Sequence, residues 1–156
     1  MVVLEPENIL FDRTAADWEE VVRLAVGRLS ENGYVDSKYA DDVIERERVY
    51  PTGLPTDDVV TALPHAHSSH VKKTGVCVVR LSEPVDFRNM GDPDETLPVE
   101  LVFVLANAAS GGEHLDDLQE LMECFSRKGL LQDLQNAADT ETFIHVFENR
   151  EQYPEE

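Results

Sequence analysis

The sequence predicts a single-domain α/β fold, an α/β/α sandwich in which helices flank a mixed β-sheet, and three observations carry that expectation. Residues 97–106, LPVELVFVLA, form a near-continuous apolar run of strand length, the mark of a central strand covered on both faces. Segments of helical periodicity stand before, between and after the strand segments, an order that a layered α/β architecture accommodates. The chain has 156 residues, 42% of them hydrophobic, enough for one domain with its own core.

A first helix is expected from Thr14, a suitable cap, through AADWEEVVRLAVGRLSENG. Trp18, Val21, Val22, Ala25 and Leu29 share its apolar face, and Gly33 is its terminal glycine. A second helix opens at Asp36 and runs through YADDVIERERV until Pro51 and Gly53 break it. VVTAL at 59–63 reads as a short strand stopped by Pro64, GVCVVRL at 75–81 as a buried strand, and PVDF at 84–87 as an edge strand. After the strand 97–106, EHLDDLQELMECFSRKG forms a third helix whose face is Leu115, Leu118, Leu121, Met122 and Phe125, with Gly129 as its end. LLQDLQNA makes a shorter helix, and DTETFIHVFEN makes the last, capped by Asp139 or Thr140. The domain occupies residues 1–150, and EQYPEE at 151–156 reads as a frayed tail.

Composition excludes several functions. There are 32 acidic against 13 basic residues, a net charge of −19 that repels nucleic-acid phosphates, so nucleic acid is not an expected partner. The acids are spread between periodic apolar segments, which argues for a folded chain, and a very salty cytoplasm is one host that suits such a surface. MVVLEPEN at the N-terminus is too short and acidic for a secretory signal. No apolar run reaches the roughly 18 residues of a membrane helix. A cytoplasmic protein is expected. Cys77 and Cys124 sit in apolar surroundings and read as small buried hydrophobes rather than a disulfide.

TALPHAHSSH at 61–70 holds three of the five histidines. His65 follows a strand and a proline at the point where the chain leaves the sheet, a usual place for chemistry in α/β proteins, and a neutral imidazole is a good nucleophile near neutrality. On position alone it reads rather as an exposed turn residue. His65, His67 and His70 together allow a zinc site, although neither an HExxH pattern nor a cysteine cluster accompanies them. His114 lies just inside a helix start after two glycines, where anions are favoured. His145, between apolar neighbours, reads as structural. Arg46 and Arg48 near the end of the second helix are each suited to clamp a phosphoryl group, or to pair with surrounding surface acids.

These pieces recur in a fixed order: RE-x3-PTG at 46–53, ALPH at 62–65, PVDF-x-x-MG, LVFVLA and then GGEHLDDL. The series, covering about the whole chain, resembles the mannitol/fructose-type enzyme IIA of the sugar phosphotransferase system. The PTG start and the lack of a glycine after PH are more similar to the galactitol-type branch. The resemblance implies a mixed sheet flanked by helices and a phosphoryl relay with no metal or cofactor. HPr donates to His65, and His65 donates to enzyme IIB, which phosphorylates the sugar carried by the membrane subunit IIC. It implies that Arg46 and His114 help hold the phosphoryl group, and it assigns nothing to His67 or His70. Relatives of the nitrogen-regulatory class act instead by binding other proteins; a chain without an attached output domain is expected of the relay.

Overall fold

The computed structural model describes residues 2–56, 58–108 and 113–155, without the side chains of Glu113 and His114. Its elements are β1 (Ile9–Arg13), α1 (Trp18–Glu31), α2 (Tyr39–Val49), β2 (Gly53–Leu54), β3 (Thr61–Ala62), β4 (Gly75–Asn89), β5 (Asp92–Ala106), α3 (Glu113–Phe125), α4 (Leu130–Asn136) and α5 (Thr140–Glu148). The strands form one mixed sheet. A long antiparallel hairpin of β4 and β5 dominates it, with register running from Gly75↔Ala106 to Asn89↔Asp92. β1 joins β4 in parallel, and β3 joins β5 in parallel through Thr61↔Leu101 and Ala62↔Val102. β2 lies antiparallel to β3 and also touches the far end of β4, at Gly53↔Asn89.

Alternation along the hairpin divides the core in two. Cys77, Val79, Val102, Val104 and Ala106 face α1 and α2, while Val76, Val78, Leu101, Phe103 and Leu105 face α3, α4 and α5. The expected α/β/α sandwich is therefore present, with residues 101–106 of β5 buried on both faces. Cys77 and Cys124 are free and buried, and burial pushes their thiols up to about 12 and about 11.

Several boundaries differ from the sequence reading. Asp17, not Thr14, caps α1, its carboxylate accepting from Glu20 N at 2.9 Å. Gly33 ends that helix as expected: its φ is 81°, and Tyr34 N reaches back to Leu29 O at 2.9 Å. Asp36 makes a turn ahead of α2 rather than its first residue; its side chain takes Lys38 N and its carbonyl takes Tyr39 N. PVDF is not a separate edge strand. It is the distal half of β4, and exposed Pro84 falls inside a register slip between Arg80 and Val85 where a missing donor costs nothing. β1 has no counterpart among the expected strands, because three apolar residues without alternation are too weak a signal. Among the described side chains of α3 the buried apolar ones are Leu121, Cys124 and Phe125, whereas Leu115 and Met122 are exposed. Gly129 does not end α3: with φ 86° it precedes α4. The segment read as a frayed tail is hydrogen-bonded: Lys128 N donates to Pro154 O at 2.8 Å and Arg127 Nη1 to Tyr153 O at 2.9 Å.

The PTG turn joins α2 to the sheet by close approach. A Cβ on Gly53 would stand 2.6 Å from the carbonyl oxygen of Arg88, a backbone atom that cannot swing away. Arg88 in turn donates to the carbonyls of Glu47 and Arg48 at the end of α2. Gly53→Ala should therefore cost about 1–3 kcal/mol, seen as a lower urea midpoint at an unchanged slope.

Candidate active site

The loop after β3 is held on both sides of His65. Pro64 O accepts from Leu105 N at 3.1 Å, which sets His65 beside Leu105 in a parallel bridge at the end of β5. On the other side Ala66 N donates to the Tyr39 hydroxyl at 3.2 Å, and that hydroxyl donates to Leu105 O at 2.7 Å. Tyr39 projects from α2 and is wholly buried, and burial holds its phenol protonated well above neutrality. It thus serves as donor and acceptor at once.

His65 is half-buried, with Nδ1 2.8 Å from Leu63 O. A carbonyl only accepts, so Nδ1 carries the ring proton and Nε2 carries the lone pair. His65 lines a narrow pocket with Ala66, His67, Leu105 and Asn107. Ala66 and His67 also line an adjoining open groove with Asp42, Arg46, Tyr50 and His70. Arg46 therefore borders the histidine loop, its guanidinium stacked 4.4 Å over the Tyr50 ring. Arg48 turns away and pairs with Glu19 of α1 at 3.0 Å.

The other histidines separate. His70 Nδ1 lies 2.6 Å from Asp36 Oδ2, a hydrogen bond that holds the Asp36 carboxyl below its usual range. His67 is exposed on the groove rim. Among the described residues no three His, Cys, Asp or Glu side chains gather into a metal-binding group. His145, read as structural, is exposed and touches Asn149. His114 occupies the first turn of α3, and its side chain lies outside the described residues. Because β3 and β5 run parallel, the loop carrying His65 and the segment leaving Ala106 toward α3 depart from the same end of the sheet.

Sequence reasoning passed over Tyr39, Glu47 and Thr52 as site residues. Glu47 is 3% exposed, and its carboxylate accepts from Thr52 N at 2.7 Å and Thr52 Oγ1 at 2.8 Å. The available signal is phase: Ala40, Val43, Ile44 and Glu47 recur at the spacing of one helical face, so the acid falls in the buried stripe. Burial pushes the Glu47 carboxyl up to about 7, against an ordinary 4.5. Between those values the folded chain holds a proton that the unfolded chain has lost. The stability this group contributes is complete below pH 4.5 and disappears as pH rises through 7, an effect of about 3 kcal/mol. Urea denaturation across that window should show the wild-type chain losing this stability relative to Glu47→Gln, which does not titrate.

The family model for the phosphoenolpyruvate-dependent sugar phosphotransferase system, EIIA 2, matches residues 2–150. The chain belongs to this enzyme IIA family. It is 29% identical over 150 residues to the mannitol-specific phosphotransferase enzyme IIA component of Bacillus subtilis (strain 168), covering 94% of this chain and 97% of that one. It is 28% identical to the multiphosphoryl transfer protein of Escherichia coli O157:H7, of whose length it spans 17%. In the solved complex of mannitol enzyme IIA with phosphorylated mannitol enzyme IIB from Escherichia coli, one chain superposes on this enzyme IIA with a TM-score of 0.79. That pair is 26% identical and covers 96% and 99% of the two chains. Among the described residues, no helix of this enzyme IIA is long and apolar enough to cross a membrane.

Proposed function

We propose that this enzyme IIA accepts a phosphoryl group from phospho-HPr on Nε2 of His65 and passes it to enzyme IIB, which phosphorylates the sugar carried by the membrane subunit IIC. The observation that carries this reading is the 2.8 Å contact from His65 Nδ1 to Leu63 O, which leaves the ring's lone pair on Nε2. In the forward step Nε2 forms a bond to phosphorus, the donor's P–N bond breaks, and its electron pair returns to the donor imidazole. His65 keeps its Nδ1 proton, so its ring becomes cationic, and the Leu63 carbonyl stabilises that charge. The transfer to enzyme IIB reverses these changes. Both transfers are in-line displacements through a loose transition state, so positioning and charge stabilisation dominate. Arg46 and His114 are the proposed holders of the phosphoryl oxygens.

The cytoplasm is the compartment where such a relay operates. The acidic surface fits a salty host, and the melting temperature should then rise with KCl toward molar concentration. The relatives reported above favour mannitol as the sugar, while the PTG start and the missing glycine after PH favour galactitol.

Incubation with enzyme I, HPr and phosphoenolpyruvate should leave one acid-labile phosphate on His65, and mannitol or galactitol enzyme IIB should discharge it. Phosphate mapped to His67 would refute the assignment. A phosphorylated chain that discharges to no enzyme IIB would favour a regulatory protein of the nitrogen class.

A further inference from the structure

The His65 imidazole is oriented through Leu63, and Leu63 is itself held from the other side. Its N–H donates to Thr52 Oγ1 at 3.1 Å, 11 residues away in sequence. With that lone pair taken, the Thr52 hydroxyl proton goes to Glu47 Oε1 at 2.8 Å, while Thr52 N donates to Glu47 Oε2 at 2.7 Å. Both carboxylate oxygens are thus engaged by a single residue. Thr52 and Glu47 are 2% and 3% exposed, so neither meets a docking partner.

We propose that Glu47 and Thr52 are positioning residues for the phosphoryl relay: they anchor the Leu63 residue whose carbonyl sets the tautomer of His65. The chain of contacts runs from the Glu47 carboxylate through the Thr52 hydroxyl to Leu63 N–H, then from Leu63 C=O to His65 Nδ1–H. Each link has a proper donor and acceptor. A buried carboxyl is costly to keep, and an apolar residue at position 47 would continue the buried face of α2. The structure retains the acid where its effect reaches the nucleophile. Removing the Thr52 hydroxyl leaves Leu63 N–H buried without an acceptor, and the Leu63 peptide is released to turn. The proton on His65 is then free to move to Nε2, which quenches the attacking nitrogen.

This inference rests on the relay reading, and two measurements separate them. Nitrogen-15 spectra of the imidazoles report which ring nitrogen carries the proton. Single-turnover transfer from phospho-HPr reports the chemistry. Wild-type His65 should be in the Nδ1–H form. Thr52→Val should mix the tautomers and slow transfer about tenfold, the equivalent of one hydrogen bond, with the half-saturating phospho-HPr concentration unchanged. Thr52→Ser should restore both readouts. Glu47→Gln, which keeps the Thr52 hydroxyl but loosens its anchor, should give a smaller loss of the same kind.

An Nε2–H tautomer in the wild-type protein overturns the inference even if Thr52→Val does not fold. So does a folded Thr52→Val or Glu47→Gln chain with wild-type tautomer and rate. A wild-type chain that takes no phosphate at all would instead remove the relay reading beneath it.

Discussion

His65→Ala should carry no phosphate after incubation with enzyme I, HPr and phosphoenolpyruvate, while His67→Ala and His70→Ala label fully. The alanine chain should stay folded, because His65 is half-buried and the loop keeps its other anchors. Pro64 O to Leu105 N, and Ala66 N to the Tyr39 hydroxyl, are bonds that do not use the imidazole. The loss is complete because covalent catalysis has no substitute once the nucleophile is gone. His70 Nδ1 is engaged by Asp36, and His67 lies on the rim of the groove rather than in a strand-end bridge. Full labelling of the alanine chain would end the assignment of His65.

Arg46→Ala should slow phosphoryl acceptance by about 10²–10³-fold, the scale seen when one charge-stabilising donor is removed from an active site. Arg48→Ala should leave it within about twofold, because an exposed ion pair such as Arg48–Glu19 is worth little. The difference follows from helix geometry. Two residues apart on α2, the side chains diverge by about 200°, so one turns to the groove beside Ala66 and His67 and the other to α1. Arg46→Lys should recover part of the rate, since a lysine supplies the charge without the planar fork. Arg46 is exposed, and its attraction for a phosphoryl group should weaken as salt is added. Equal slowing by Arg48→Ala in a single-turnover assay would overturn the assignment of Arg46.

Much of the architecture is legible from local chemistry. The apolar run 97–106 announces a doubly covered strand, and it lies in β5 with Leu101, Phe103 and Leu105 on one face and Val102, Val104 and Ala106 on the other. Asp139 and Gly33 mark helix ends by side-chain capping and positive φ, both properties of single residues. Where competition between neighbours decides, the sequence is a poorer guide. Thr14 and Asp17 are both good caps, and Asp17 is the one whose carboxylate meets Glu20 N. The bulge that lets β4 run past Pro84 exists because β5 lies opposite it. His145 has apolar neighbours in sequence, but its phase on α5 turns it to solvent while Phe143 and Phe147 turn inward.

The site shows the same division. By themselves the residues determine that an imidazole follows a proline at a strand end, that an arginine stands at RE-x3-PTG, and that the ordered series belongs with one family of phosphoryl carriers. They do so because these are statements about residue type and spacing, and spacing along the chain survives folding. The tertiary structure alone decides which nitrogen of His65 meets the Leu63 carbonyl, which of two arginines borders the groove, and that Tyr39, Glu47 and Thr52 stand behind the loop. Even the contact of His65 with Leu63, two residues away, sits in a loop held by bonds between residues farther apart, such as Tyr39 to Leu105 or Thr52 to Leu63. A hydrogen bond exists only where the parallel pairing of β3 with β5, and the packing of α2 against the sheet, bring donor and acceptor within about 3 Å.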